Sequence, residues 1–470
     1  MSTLNSTLTA LARRAYGYVL SLGGWIRTVS ALAFRRGACN EQQMSLIATD
    51  TIRLLQDGDW AGLRGRFALP LRLLLTETAL RKGWQVITAT TGPIERVGRP
   101  SIKTTMFLPT AKIPVYFARA NLAVVLRMWP SGRLLGLQVS PLLAAGFGVA
   151  WQCPPYTEDG YARETDIELG SKLEVPGIFC LPKHTGPHAC VVFLAGSGPC
   201  DRDSSVGSLK PFKDLALGLA QKGIASIRFD KVTLRHGQKF RNRSSFTIAD
   251  EYFDQANAAL NYASQHPEIE SGRIFLLGHS LGATVVPHLA QVDNRIRGIV
   301  LLAPPSETMY KSYARQLRYF ASLDSDLVES TQELIAEAEK KSDAADRLGP
   351  DSTTAPRDLP FGLPACYWNS CRELDPIGTC QAMDKPILLL QGSRDYQVTV
   401  EDDFTVWKRE LRSKQDVVLS VLEGLDHCFV RGEGLSVPAD YDNAGNMDAT
   451  AIENIRKWIV STCGGSQSGT

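Results

Sequence analysis

The feature that most constrains the fold of this chain is the stretch RIFLLGHSLG at 273–282. Its four consecutive apolar residues predict a strand that is buried on both faces of a parallel sheet. A tight Gly-x-Ser-x-Gly turn follows, and the next residues can open a helix. In this context a strained turn exposes the hydroxyl of Ser280 as a nucleophile, whereas an ordinary Gly-Ser turn is the alternative. Larger side chains at Gly278 and Gly282 would collide with neighbouring backbone, so we predict a steric need for small residues there.

The composition excludes several classes of protein. A length of 470 residues is too great for one typical domain, and a formal net charge of +2 gives no electrostatic footprint for nucleic acid. The 10 Cys residues include no CxxC pair, which argues against a zinc ribbon and against a dense disulfide framework. Neither an HExxH motif nor a Walker-A loop is present. We therefore expect no metal, no organic cofactor and no nucleic-acid partner.

Residues 1–40 form an extension whose role the sequence leaves open. Apolar residues recur there at helical spacing and are punctuated by arginines, which is typical of an amphipathic helix. No uninterrupted apolar run approaches the roughly 20 residues of a membrane span. We favour a helix docked on its own protein and a cytoplasmic location. A weak contact with a membrane surface and a signal peptide are the alternatives; Arg27 and a long polar start argue against the signal peptide.

The hydrophobic periodicity divides the rest of the chain. Helical spacing over about 41–85 and alternation over about 102–139 predict a small α+β domain at 41–150, which packs against the rest or shapes the substrate entrance. Residues 151–470 alternate strands with helices, which predicts a mainly parallel sheet covered on both faces. This alternation stops at about 305–383, a length that is typical of a lid insertion. The lid's aromatic residues either line an apolar pocket or form the lid's own core: Tyr310, Tyr313, Tyr319, Phe320, Phe361, Tyr367 and Trp368.

Two loop residues after late predicted strands supply the groups that Ser280 would need. A Ser hydroxyl is a poor nucleophile at neutral pH, so it requires a base whose tautomer is fixed by a third group. Asp395 follows a predicted strand at 386–390, and His427 follows one at 417–422. The chain order Ser, Asp, His is also the order that accompanies this kind of Ser turn. We predict that these three residues are catalytic.

Three other residues compete for the same roles. Asp426 is a rival acid, but adjacent residues on a loop seldom face each other. His279 lies within the Ser turn, where we expect it to pack or to form a hydrogen bond. We interpret His288, on the following helix, as structural.

Acyl transfer also requires donors for the developing oxyanion. We predict that the amide of Leu281 is one donor. The other is expected from the Gly-rich loop at 195–199, where Ser197 or Gly198 would offer its N–H. We interpret the charged run Asp201-Arg202-Asp203 as ion pairs that brace this loop.

These residues bring a family into view. The chain resembles α/β-hydrolases of the serine aminopeptidase-like or dienelactone-hydrolase-like group, in particular those with an N-terminal domain of unknown function. The resemblance extends over about 45–462, and its most specific parts surround Ser280, Asp395 and His427. Ala195 departs from the family, since many relatives have His there. The matching stretches are GSGPCDRD at 196–203, PFKDLALGLAQKGIASIRFDK at 211–231, GHSLGA at 278–283, QGSRDYQVTVEDDF at 391–404, LDHCF at 425–429 and GEGLSVPADY at 432–441.

The resemblance implies an α/β-hydrolase fold with a helical lid, preceded by the small α+β domain. It also implies a serine hydrolase that cleaves a carboxylic ester or thioester through an acyl-enzyme, with a small-molecule ester or acyl substrate. A fainter similarity to hydrolases of fungal secondary-metabolite pathways, such as those that make cytochalasan-type polyketide–amino acid hybrids, serves only to rank substrates and implies a place in secondary-metabolite biosynthesis.

Two other classes of protein stay open. The same triad could move protons in a ring-closing condensation of a polyketide-type intermediate. A non-catalytic binding protein is the third class, and a matched Asp and His argue against it. The acyl group, the leaving group and the oligomeric state do not follow from the sequence.

Overall fold

The part of the chain that the structure describes contains two β-sheets, one in each of the predicted α+β and α/β parts. The computed structural model describes residues 39–103, 109–158, 160–240, 244–323 and 328–464. The helix predicted within 1–40 therefore lies almost entirely outside the described residues. Among the helices within those ranges, none is long and apolar enough to cross a membrane.

From residue 39 onward, four helices precede the first sheet: α1 (Glu41–Gln56), α2 (Trp60–Arg66), α3 (Leu69–Leu74) and α4 (Glu77–Thr91). Helix α1 begins with a capping box. The Asn40 side chain accepts from the backbone N–H of Gln43, and the Gln43 side chain accepts from the backbone N–H of Asn40. In the sequence, apolar residues continue at helical spacing from α3 into α4, which predicted a continuing helical face. In the structure the chain forms separate helices here, and Leu69 and Leu73 are 68% and 73% exposed.

The first sheet is antiparallel. It contains β1 (Ile94–Val97), β2 (Ser101–Lys103), β3 (Thr110–Phe117), β4 (Asn121–Met128) and β5 (Leu134–Pro141), followed by the short helix α5 (Leu142–Ala145). The strand order is β1-β3-β4-β5, with β2 paired to β3. Together with the preceding helices, this meander confirms the predicted α+β arrangement.

The second sheet carries eight strands: β6 (Ala162–Leu169), β7 (Val175–Pro182), β8 (His188–Leu194), β9 (Ala225–Phe229), β10 (Ile269–His279), β11 (Ile296–Leu302), β12 (Ile387–Gly392) and β13 (Val417–Leu422). Their order is β13-β12-β11-β10-β8-β9-β7-β6. Strands β13 to β9 along this order are parallel, whereas β7 and β6 are antiparallel additions. This is the α/β-hydrolase topology that the resemblance implied.

Helices accompany the second sheet along the chain. They are α6 (Pro211–Gln221), α7 (Val232–Arg235), α8 (Gly237–Phe240), α9 (Ile248–Gln265), α10 (Leu281–Val292), α11 (Met309–Ser322), α12 (Val328–Asp346), α13 (Ala365–Glu373), α14 (Pro376–Ala382), α15 (Thr405–Glu410) and α16 (Ala449–Gly464). Short helical turns lie at Pro356–Asp358, Pro360–Gly362, Val400–Phe404 and Pro438–Asp442. Helices α11 to α14 lie between β11 and β12, where the sequence predicted a lid.

Strand β10 shows why the central apolar run is continuous. Ile274 and Leu276 pack into the hydrophobic cluster on one face of the sheet, and Phe275 and Leu277 pack into the cluster on the other face. Each of these four side chains is 0% exposed. Because neighbouring strands run parallel to β10, their carboxyl ends meet at one edge, and the loops that carry chemistry in this kind of sheet follow there.

Candidate active site

Ser280 lies in a strained turn between β10 and α10. Its backbone has φ 54° and ψ −123°, a left-handed conformation that non-Gly residues adopt rarely. A Cβ at Gly278 would lie 2.4 Å from the carbonyl oxygen of Gly282, and a Cβ at Gly282 would lie 2.3 Å from that of Leu194. Both positions therefore exclude any side chain, as the sequence predicted.

Asp395 and His427 lie together at the same edge of the sheet. The loop after β12 carries Asp395, the loop after β13 carries His427, and both side chains are buried. The Nδ1 atom of His427 lies 2.6 Å from Oδ2 of Asp395. Because His427 donates its Nδ1–H to the carboxylate, its ring is in the tautomer whose Nε2 can accept a proton.

The carboxylate of Asp395 is fixed by three further donors. Its Oδ1 accepts the backbone N–H groups of Gln397 and Val398 at 2.8 and 3.0 Å. Its Oδ2 accepts the side-chain amide of Gln391 at 3.1 Å. The acid is thus held in one orientation, with its remaining bond directed at His427.

Asp426 has a different role. Its Oδ1 accepts the backbone N–H groups of Cys428 and Val430 at 2.8 and 3.0 Å. Burial raises the pKa of this carboxyl to about 6. The structure therefore brings Asp395 to His427, while Asp426 ties together the loop that carries His427.

The two other histidines near or after the Ser turn pack against aromatic rings. The Nε2 atom of His279 lies 2.8 Å from the backbone carbonyl oxygen of His427, and the two rings are 4.6 Å apart. Burial, together with the charge of His427, lowers the pKa of His279 to about 3, so its neutral ring donates to that carbonyl. His288 stacks on Phe253 at 5.4 Å, away from these loops.

The loop after β8 passes close to Ser280. A Cβ built on Gly196 would lie 3.2 Å from the Cβ of Ser280 and 3.4 Å from the carbonyl oxygen of His279. A side chain at this position would therefore require a neighbour to move by a few tenths of an ångström. The loop thus has the placement that an oxyanion donor at Ser197 or Gly198 would need, and Leu281 begins α10 on the other side of Ser280.

The charged run that follows this loop braces it, as we interpreted from sequence. Arg202 pairs with Asp230 at 3.1 Å. Asp203 pairs with Lys210 at 2.7 Å and with Arg228 at 3.0 Å. Arg228 and Asp230 come from β9 and the residue after it, whereas Lys210 lies seven residues beyond Asp203 in the chain.

Three of the lid's aromatic residues are buried together. Tyr310, Tyr367 and Trp368 belong to one hydrophobic cluster, and Trp368 contacts both Tyr310 and Tyr367 edge-to-face at 5.1 Å. Phe320 and Tyr319 instead pack on Tyr396, at 5.3 and 5.4 Å, in the hydrophobic cluster of the α+β part. Of the two alternatives that the sequence left open, burial in a core therefore holds for Tyr310, Tyr367 and Trp368.

The α+β part packs directly on the loops that carry the acid and the histidine. Its hydrophobic cluster includes Tyr396, which follows Asp395, and Cys428, which follows His427. The backbone N–H of Ala439 also donates to the carbonyl oxygen of Arg119 at 2.8 Å. This contact places the α+β part beside the site, where the sequence predicted a packing or entrance-shaping role.

Sequence reasoning missed a buried polar group behind the 195–199 loop. Lys231 lies 2.7 Å from Glu251, and its ammonium donates to the carbonyl oxygen of Gly196 at 2.7 Å. Tyr252 donates to the carbonyl oxygen of Ala195 at 2.9 Å. The sequence signal was a lysine two residues after β9, a position where burial is costly for an unpaired charge.

The sequence is similar to a known protein family and to an esterase. The family described as "Serine aminopeptidase, S33" matches residues 206–433, a range that contains Ser280, Asp395 and His427. Esterase EstD of Thermotoga maritima is 31% identical over 345 residues, which cover 73% of this chain and 78% of that protein.

Solved structures are similar at lower identity. Est1E from Butyrivibrio proteoclasticus is 13% identical with a TM-score of 0.41, covering 63% of this chain and 98% of that chain. A 2,6-dihydroxy-pseudo-oxynicotine hydrolase is 16% identical with a TM-score of 0.41, covering 65% of this chain and 70% of that chain.

Proposed function

The chain belongs to the esterase-like α/β-hydrolases of the serine aminopeptidase (S33) family, and from this membership we propose that it cleaves a carboxylic ester or thioester through an acyl-enzyme on Ser280. The observation that carries the proposal is the 2.6 Å hydrogen bond between His427 and a buried Asp395, at the sheet edge where Ser280 is strained. The relative named as an esterase supports an ester as the substrate class.

Acylation begins when the hydroxyl oxygen of Ser280 attacks the ester carbonyl carbon. Nε2 of His427 takes the hydroxyl proton, and Asp395 stabilises the resulting imidazolium. The carbonyl oxygen becomes an oxyanion that accepts from the N–H of Leu281 and from the loop that contains Ser197 and Gly198. When the tetrahedral intermediate collapses, the bond to the alcohol breaks and His427 returns the proton to the leaving oxygen.

Deacylation repeats the same steps with water. His427 removes a proton from water, whose oxygen attacks the acyl carbon. The second tetrahedral intermediate expels Ser280, which regains its proton from His427. The products are a carboxylic acid and an alcohol or thiol, with the enzyme restored.

Covalent labelling tests this proposal. A fluorophosphonate should modify the parent protein, and mass mapping should place the adduct on Ser280. A p-nitrophenyl ester should give a burst followed by steady turnover. Ser280→Ala should remain folded and lose at least about 10⁴-fold in kcat. Appreciable turnover by this variant would refute the assignment of the nucleophile.

Ring closure is the outcome that would replace hydrolysis. A triad that only moves protons would leave small esters unreacted and form no acyl adduct on Ser280. The deciding substrate is a ketoamide bearing an aldehyde, of the polyketide type found in secondary metabolism. Its cyclisation with loss of water alone, without any hydrolysis of esters, would contradict the proposal.

A further inference from the structure

The buried lysine behind the 195–199 loop makes a complete set of contacts. Its ammonium donates to the carbonyl oxygen of Gly196 at 2.7 Å and to the hydroxyl of Tyr252 at 2.8 Å, and it pairs with Glu251 at 2.7 Å. Lys231 is 2% exposed and Glu251 is 5% exposed. An ammonium has three donors, so each finds an acceptor and the charge is balanced.

Two consecutive carbonyl groups of the loop are bound by this group. Lys231 holds the carbonyl of Gly196, and Tyr252 holds that of Ala195 at 2.9 Å. Burial raises the pKa of the Tyr252 phenol well above its usual value, so the phenol keeps the proton that it donates. The rotation of both peptide planes is therefore restrained from the interior side of the loop.

The planarity of the peptide bond connects this restraint to the reaction. In a trans peptide the carbonyl of one residue and the N–H of the next point in opposite directions. The 196–197 peptide is trans. With the Gly196 carbonyl directed inward at Lys231, the N–H of Ser197 is directed the other way, and Gly196 itself lies in near contact with Ser280.

We propose that Lys231, assisted by Tyr252, is a positioning residue that orients the N–H of Ser197 as an oxyanion donor. This inference rests on the proposed acyl-enzyme reaction and chooses Ser197 over Gly198. Lys231 does not touch the substrate; it acts by holding the peptide whose N–H does.

The same group links the loop to the lid. The hydroxyl of Tyr367, on α13, donates to the second carboxylate oxygen of Glu251 at 2.7 Å. Glu251 thus accepts from Lys231 with one oxygen and from the lid with the other. The lid's position and the orientation of the oxyanion donor therefore share one buried carboxylate.

The test measures binding of the transition state separately from stability. Tyr252→Phe leaves the Lys231–Glu251 pair intact. The double variant Lys231→Met/Glu251→Gln removes both charges, since removal of one alone would leave a buried charge unpaired. Each variant is assayed for kcat and KM with a p-nitrophenyl ester and for inhibition by a trifluoromethyl ketone, which forms an oxyanion on Ser280.

We expect kcat to fall about 10-fold in Tyr252→Phe and about 100-fold in the double variant, with KM nearly unchanged. Affinity for the ketone should fall by the same factors as kcat. A role in folding alone would lower the fraction of active enzyme in a burst titration and leave the ketone affinity of the remainder unchanged. That result would overturn the inference.

Lys385→Met is the matched control. This lysine also donates to two backbone carbonyls, those of Asp293 and Ile296, both at 2.7 Å, but it lies before β12 at the opposite edge of the sheet. It should keep the parent kcat and ketone affinity. A loss of ketone affinity in Lys385→Met equal to that of the double variant would show a general effect and refute the assignment.

A readout without turnover separates this inference from the proposed function. Hydrogen–deuterium exchange over the 195–199 loop should accelerate in the double variant and stay at the parent rate in Lys385→Met. If the parent enzyme forms no acyl adduct, the proposed function fails, while faster exchange still supports the restraint of the loop. If the parent enzyme is active but kcat, ketone affinity and exchange are unchanged in the double variant, only the positioning role is refuted.

Discussion

Replacing Asp395 by asparagine should reverse the tautomer of His427 while the fold is kept. Oδ1 of Asp395 accepts two backbone N–H groups, from Gln397 and Val398. Backbone donors cannot become acceptors, so the new side chain must place its carbonyl oxygen there. Its NH₂ group then occupies the position of Oδ2, which now lies 2.6 Å from Nδ1 of His427.

The expected magnitude follows from this geometry. An NH₂ group cannot accept a hydrogen bond, so Nδ1 of His427 must become the acceptor and the ring proton must move to Nε2. An imidazole protonated at Nε2 cannot take the proton of Ser280. We expect Asp395→Asn to lower kcat by about 10⁴-fold, which corresponds to roughly 5 kcal/mol of transition-state stabilisation.

The assay compares two neighbouring carboxylates with the same substitution. Turnover of a p-nitrophenyl ester and the melting temperature are measured for Asp395→Asn and for Asp426→Asn. Asp426 accepts two backbone N–H groups with a single oxygen, a role that an asparagine carbonyl can take over. Asp426→Asn should therefore stay within a few-fold of the parent kcat. A mild effect at Asp395 beside a severe effect at Asp426 would refute the reasoning.

Four further predictions concern individual side chains. Gly196→Ala should lower kcat about 10-fold with little change in melting temperature, because its Cβ would press on Ser280 from 3.2 Å; unchanged kcat would contradict the close approach. Trp368→Ala should cost about 3–5 kcal/mol of unfolding free energy, since the ring is 1% exposed. Tyr319→Ala should instead impair bulky esters more than an acetyl ester, and equal losses of kcat/KM would assign Tyr319 to the fold as well. Burial raises the pKa of Asp426 from 3.8 to about 6, so the folded state binds a proton in this pH range more readily than the unfolded state does. The free energy of unfolding of the parent should therefore fall by up to about 3 kcal/mol as the pH rises from about 4 to 6. The melting temperature of Asp426→Asn relative to the parent should therefore rise over this range, and a flat difference would contradict the sign.

The sequence by itself determined the architecture of the sheet and the identity of the candidate residues. A continuous apolar run before a tight turn is typical of a strand that is buried on both faces of a parallel sheet, and β10 has that environment. Small residues on both sides of Ser280 indicated a turn too tight for side chains, and distances of 2.4 and 2.3 Å at Gly278 and Gly282 explain why. The contact at Gly278 lies within the turn itself and so follows from the local sequence, whereas the contact at Gly282 is with Leu194 on β8.

The sequence favoured Asp395 over Asp426, because adjacent residues on a loop seldom face each other, but the contact itself came from tertiary structure. Each of the two carboxylates lies on a loop after a late strand. The packing of one loop against the other decides which carboxylate meets His427 and which binds backbone N–H groups. Likewise, the sequence left open whether the lid's aromatic residues line a pocket, and the structure buries Tyr310, Tyr367 and Trp368 in a core.

The buried group behind the oxyanion loop was beyond sequence reasoning for the same physical reason. Lys231, Glu251 and Tyr367 are far apart in the chain, and each alone resembles an ordinary polar residue. Their role depends on burial, because a charge removed from water needs partners, and these partners come from the sheet, the helix and the lid that pack around it. Periodicity determines which side chains are buried, whereas long-range packing determines what a buried polar group holds in place.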